Sequence, residues 1–230
     1  MDLFSLAAGL GLLLGMRHAI EPDHVAAIST IVSAESNTRR AARVGLAWGV
    51  GHTLALLAAG GTLLVMRLEL PAWFSAVTEL GVGLVLIGLG AASLRRALRE
   101  GRRGPHHLHA HGHNEHAHAG SIPHVHVGRF VLAPRPLMLG LVHGLAGTGA
   151  LAAMVLASMP SIASGLVYIV VFGIGSILGM ALLTGMLGAT LQRVLRGARA
   201  RMAVQAGAGL VSLIMGVVWI FVAVPGLGGH

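Results

Sequence analysis

The 230-residue sequence predicts an all-α integral membrane protein, with six transmembrane helices arranged as two inverted-topology repeats of three, and three observations carry that prediction. Hydrophobic residues make up 55% of the chain and charged residues 10%, with a mean hydropathy of +0.79, values that a soluble domain of this length could not keep in solution. Six apolar windows are long enough to cross roughly 30 Å of hydrocarbon. The third observation is an internal self-similarity between the two halves.

The windows fall at about Leu3 to Ser33, Val44 to Met66, Ala76 to Leu94, Pro136 to Ser158, Ile162 to Leu191 and Met202 to Val224. The first resembles a signal peptide in hydrophobicity but carries Asp2 where a basic segment should stand, so it reads as a retained span. Between windows three and four, His106 to His126 holds nine histidines with glycine and proline throughout. Such a stretch builds no core and reads as a flexible loop able to chelate borderline divalent metals. The expected organisation is therefore residues 1–94 as the first repeat, 95–135 as the histidine-rich loop and 136–230 as the second repeat.

Orientation follows from the arginines, which alone give the net charge of +8, since the chain has no lysine. Arg39, Arg40 and Arg43 follow window one; Arg95 to Arg135 follow window three; Arg193, Arg196, Arg199 and Arg201 follow window five. Arg67 stands alone on the opposite side. The asymmetry puts the histidine-rich loop in the cytoplasm and both termini outside an inner (plasma) membrane. Basic character here is a topology signal, and no nucleic-acid partner is called for.

The self-similarity is specific in its register. LGMRHAIEPDHVAA (Leu14 to Ala27) aligns with LGLVHGLAGTGALAA (Leu139 to Ala153) at an offset of 125, which sets Gly15 over Gly140 and His18 over His143. GVGHTL at Gly49 aligns with GIGSIL at Gly173, setting His52 over Ser176, and ELGVGLV at Glu79 aligns with QAGAGLV at Gln205. Three helices per copy is an odd number, so the second copy must cross in the opposite sense to the first. That is the plan of many secondary transporters, with the substrate site near the midplane where the repeats meet. Glycine, at 34 residues, is abundant and often spaced as small-xxx-small, which lets helix backbones approach closely in lipid.

Chemistry concentrates in RHAIEPDH, Arg17 to His24. Ionisable side chains in a membrane span are costly and mark a site by default. His18 and His24 are six residues apart, and an unbroken helix would turn them about 120° from each other. Pro22 changes this, because it lacks the amide hydrogen that would bond the His18 carbonyl and its ring clashes with that carbonyl. A local unwinding there lets His18, Asp23 and His24 converge, which is tolerated where the backbone is buried in protein or lines a wet cavity. His52 lies at similar depth in the second span and can complete the site as a metal ligand. His143, the repeat partner of His18, is a further candidate ligand, ranked below His52. Thr53, Thr148, Ser176 and Thr184 are weaker candidates, as supporting or pathway hydroxyls.

With no cysteine in the chain, a metal must be held by imidazole and oxygen. Three imidazoles and a carboxylate suit Ni²⁺, Co²⁺ or Zn²⁺ rather than Cu⁺, Mg²⁺ or Ca²⁺. RHAIEPDHVAAI resembles the H-x4-D-H signature of the nickel/cobalt transporter (NiCoT/NicO) family, carried here by His18, Asp23 and His24, and GHT at Gly51 to Thr53 resembles its second signature. GLAGTGAL (Gly144 to Leu151) and GMALLTGMLG (Gly179 to Gly188) resemble degenerate forms of its two later signatures, where the family usually has Asp-Thr pairs and this chain has Gly147-Thr148 and Leu183-Thr184.

The resemblance implies a secondary transporter, not an enzyme, moving Ni²⁺ or Co²⁺ as substrate with no prosthetic group. The histidine-rich loop is similar to that of the branch that exports metal, so efflux is the first alternative. An intramembrane zinc hydrolase built on the same His/Asp cluster is the second, although the chain has no H-E-x-x-H. The expected partners are the divalent ion and the lipid bilayer. A metallochaperone or metalloenzyme assembly partner is a further reading.

Overall fold

In the computed structural model, residues 3–33, 35, 37–68, 71–102, 125–127, 130–132, 134–159, 161–194 and 197–227 are described. Helices dominate: α1 (Leu3–His18), α2 (Pro22–Val32), α3 (Thr38–Ala55), α4 (Gly61–Met66), α5 (Ala72–Arg102), α6 (Pro134–Ser158), α7 (Ile162–Val194) and α8 (Ala198–Leu227). A π-helical turn, Leu56–Gly60, joins α3 to α4 without interrupting the rod. Four stretches among the described residues are long and apolar enough to cross a membrane: Thr38–Met66, Trp73–Arg99, Ile162–Arg193 and Arg199–Gly226. The fold is that of an α-helical membrane protein.

The first expected span is divided. α1 ends at His18, a turn occupies residues 19–21, and α2 begins with Pro22 in its first turn, where a missing amide hydrogen costs nothing. Glu21, in extended conformation, starts α2, and the Val25 amide donates to its carbonyl at 2.9 Å. The Glu21 amide donates to the His18 carbonyl at 3.1 Å, so the last carbonyl of α1 is satisfied by the turn. The fourth expected window lies within α6, a helix of 25 residues.

Two boundaries differ most from the sequence reading. α5 runs on to Arg102, past the expected end at Leu94, because Arg95 to Glu100 are all good helix formers. α3 starts at Thr38, where the Asn37 side chain accepts from the amides of Arg39 and Arg40, so Arg39, Arg40 and Arg43 lie on the helix rather than in a loop. In the histidine-rich segment, residues 103–124 lie outside the described residues. Val125–Val127 and Phe130–Leu132 form an antiparallel hairpin, β1 and β2, with Val125 opposite Leu132, a small addition to a fold expected to be all-α.

Four helix pairings build the bundle: α5 on α8, α7 on both α1 and α3, and α3 on α6. Glycine makes the closest approaches. A Cβ added at Gly15 of α1 would fall on the Phe172 carbonyl oxygen and crowd the Ser176 amide of α7. One added at Gly140 of α6 would fall on the Trp48 carbonyl oxygen and crowd the His52 amide of α3. Gly175 meets the Leu12 carbonyl just as Gly51 meets that of Leu137. Between α5 and α8, Gly83 lies against the Gly216 carbonyl and Gly90 against that of Gly209. Backbone contact of this kind is how helices associate tightly in lipid.

Along α7, α1 runs from Gly11, beside Tyr168, to Met16 and Ala19, beside Gly179, and α2 continues to Val32, beside Gly188. The break is thus a joint in a continuing path, with the polar side chains of residues 18–24 delivered between α1, α2, α3 and α6. Around it packs a core of Ala19, Ala26, Ala27, Ile28, Trp48 and Met180.

Candidate metal centre

Each imidazole reaches the centre from a different piece of backbone. His18 is the last residue of α1, His24 lies in the first turn of α2, His52 is in the last turn of α3, and His143 is midway along α6. His24, His52 and His143 are buried, and His18 is partly so. The ring centroids of His18 lie 4.6 Å from His24 and 4.9 Å from His52, and those of His24 and His52 are 5.3 Å apart. One ligand nitrogen from each of these three falls within 4.8 Å of the others, a spacing that a single metal ion could span. Glu21, Asp23 and His24 form a second such set and share His24 with the first.

The carboxylates are placed on the rings. Nδ1 of His18 lies 2.9 Å from Oε1 of Glu21, and Nδ1 of His24 lies 3.1 Å from Oδ1 of Asp23. The second Asp23 oxygen faces Nε2 of His143 at 3.7 Å, and the His24 and His143 centroids are 5.2 Å apart. The Nε2 atoms of His18 and His52 face one another at 3.1 Å. Nε2 of His24 and Nδ1 of His52 are buried without a hydrogen-bond partner among the described residues. Leaving such groups unpaired costs about 1–3 kcal/mol each. Unspent lone pairs converging in a buried centre are what a divalent ion would satisfy.

The structure brings all five sequence-predicted residues together. It relates His18 to His24 across the helix joint, and it places His143 beside Asp23 and His24 rather than in the three-nitrogen set. Trp48, one helical turn before His52, lies 5.1 Å from the His143 ring and 6.3 Å from the His24 ring, and closes that side of the centre. Neither Trp48 nor Glu21 stands out as a site residue from the sequence. The signal for Glu21 was its place three residues after His18 and next to a helix-breaking proline.

The hydroxyls do other work. Thr53 donates to the Gly173 carbonyl and Ser176 to that of Gly15, which ties helices together at 3.1 and 3.3 Å. Thr184 bonds the Met180 carbonyl of its own helix at 2.7 Å. The Thr148 side chain lies outside the described residues.

Comparison with known proteins agrees with this chemistry. Residues 4–224 match the model of a family described as high-affinity nickel-transport protein (NicO). The chain is 32% identical over 221 residues to the urease accessory protein UreH of Bacillus sp. (strain TB-90), an alignment covering 96% of this chain and 92% of that protein. No solved structure matches.

Proposed function

The chain belongs to the NicO nickel-transport family, and from that premise we propose that it is a secondary permease carrying Ni²⁺ or Co²⁺ across an inner membrane, with the ion held at the α1–α2 joint among His18, Asp23, His24 and His52, and His143 beside them. The observation that carries the reading is the trio of imidazole nitrogens within 4.8 Å, two of them on opposite sides of a break in the first helix. Imidazole suits nickel and cobalt, and a discontinuous helix is where transporter folds place their ion. Membership of a transport family sets aside the zinc hydrolase alternative.

Matched contacts support an inverted repeat. Gly15 against Phe172 and Ser176 corresponds, at offsets of 124 and 125, to Gly140 against Trp48 and His52. The pairing of α1 with α7 corresponds in the same way to that of α6 with α3. Two equivalent halves around one site suit alternating access. The arginine asymmetry supports cytoplasmic placement of residues 95–135. An inside-negative potential then favours entry by about 2.3 kcal/mol per charge per 100 mV, so uptake of a divalent ion needs no further coupling.

The UreH relative favours one more reading, in which the ion is destined for assembly of a nickel enzyme such as urease. Proteoliposomes test both. Flux of radioactive nickel, with cobalt and zinc as competitors, is expected for the parent and is expected to collapse in folded His24→Ala. Equal flux in the two would remove the site assignment, and nickel binding without flux would favour an assembly protein over a permease.

A further inference from the structure

Glu21 and Asp23 stand in the same relation to two different rings. Each presents a carboxylate oxygen to Nδ1, Glu21 to His18 at 2.9 Å and Asp23 to His24 at 3.1 Å. A carboxylate only accepts hydrogen bonds, so Nδ1 of each ring must carry the hydrogen. In a neutral imidazole the lone pair then sits on Nε2.

We propose that Glu21 and Asp23 are positioning residues that fix His18 and His24 as Nε2 ligands, so that the metal is held by imidazoles and the two carboxylates stand behind them. This deepens the permease reading and rests on the metal site proposed there. Three observations fit it. Nε2 of His24 is buried and unpartnered among the described residues, as a lone pair reserved for an ion would be. Nε2 of His18 lies 3.1 Å from Nε2 of His52, so it accepts from His52 while no ion is present. His52 in that tautomer holds its own lone pair on Nδ1, which is likewise buried and unpartnered.

The helix break makes the arrangement possible. Glu21 sits in the turn three residues after His18 and begins α2, and Asp23 and His24 follow in its first turn. On a continuous helix, one face could not present both rings and both carboxylates. The arrangement also gives the two acids different exposures. The Glu21 side chain is 52% exposed and the Asp23 side chain 10%, so Glu21 holds its ring from the open side and Asp23 from within the protein.

Outer-sphere carboxylates of this kind govern ligand orientation and basicity, and their loss typically lowers metal affinity about 10–100-fold. The decisive measurement uses metal-free protein with ¹⁵N-labelled histidine. The ring-nitrogen shifts of His18 and His24, assigned by single His→Gln variants, are expected to show a hydrogen on Nδ1 and a bare Nε2. A hydrogen on Nε2 of either ring would overturn the proposal and leave the permease reading intact.

Nickel titration of folded variants supplies the second arm. Glu21→Ala and Asp23→Ala are expected to bind about 10–100-fold more weakly. Glu21→Gln and Asp23→Asn keep an oxygen acceptor and are expected to recover most of that loss. An amide variant as weak as its alanine counterpart would mark the carboxylate as a direct ligand and overturn the proposal. Failure of the site itself would read differently, as undiminished nickel binding in His18→Ala and His24→Ala.

Discussion

Nε2 of His18 and Nε2 of His52 lie 3.1 Å apart, one at the end of α1 and the other in the last turn of α3. A hydrogen bond between the two rings holds the centre together without an ion. A metal entering at His18 must displace it. His52 is therefore the partner that keeps His18 in place beforehand, in addition to the ligand role proposed for it.

Replacing His52 by alanine removes one of the proposed ligands and the ring that pairs with His18. Nickel affinity is expected to fall by at least the roughly 100-fold that loss of an outer-sphere partner alone can cost. Isothermal titration on detergent-solubilised protein checks this, with the helical circular dichroism expected to remain that of the parent.

Acid should weaken binding. A neutral imidazole offers a lone pair to the metal and an imidazolium does not, so protons compete with nickel. Binding is expected to decline as pH falls, because each proton taken up by a site imidazole removes a lone pair from the ion. Nickel titrations at a series of pH values give the slope, and a flat profile would contradict an imidazole-held ion.

The glycine joints give a contrast within one residue type. Gly140→Ala would push a methyl group onto the Trp48 carbonyl and crowd the His52 amide, and a cost of about 1–3 kcal/mol is expected, as for overpacking elsewhere. Because the displaced backbone carries His52, nickel affinity should fall as well. At Gly88 an added Cβ meets nothing within 4 Å, and Gly88→Ala is expected to be neutral or slightly stabilising. Thermal melting of both variants in the same detergent decides the matter.

Arg96 of α5 reaches across to α2, where its Nη2 donates to the Thr30 carbonyl at 3.3 Å. That carbonyl also accepts from the Ser33 hydroxyl at 3.0 Å, so the arginine adds an inter-helix bond near the end of a helix of only 11 residues, too short to be stable by itself. Arg96→Leu is expected to loosen the C-terminal end of α2. Faster amide hydrogen exchange in residues 28–33, with α7 unchanged, is the outcome to look for.

The joint in the first helix was legible in the sequence because proline acts locally: Pro22 removes one amide hydrogen and clashes with one carbonyl, whatever lies around it. His52 was legible by depth along a helix, since 1.5 Å per residue converts position into height. Glu21 was not, because an exposed carboxylate in a turn gains its meaning only from the ring it faces. The π-helical turn at Leu56–Gly60 has no local signature in LLAAG. The sequence offers Thr53 and Ser176 only as weak candidates for supporting or pathway hydroxyls, for the same reason that it hides Glu21. Whether a hydroxyl faces an ion or a carbonyl depends on the helix opposite, and here the carbonyls of Gly173 and Gly15 claim them.

Gly15 on the backbone at Phe172 and Ser176, and Gly140 on the backbone at Trp48 and His52, are the same joint built twice with different side chains. The joint uses main-chain atoms, which every residue possesses, so the closest approach of the helices does not depend on which side chains stand at positions 48, 52, 172 and 176, and the Ser176 hydroxyl bond to the Gly15 carbonyl is an addition to it. Evolvability follows. The two glycines are the fixed points of each joint, and the side chains opposite them can vary as far as their own contacts allow without moving the closest backbone approach.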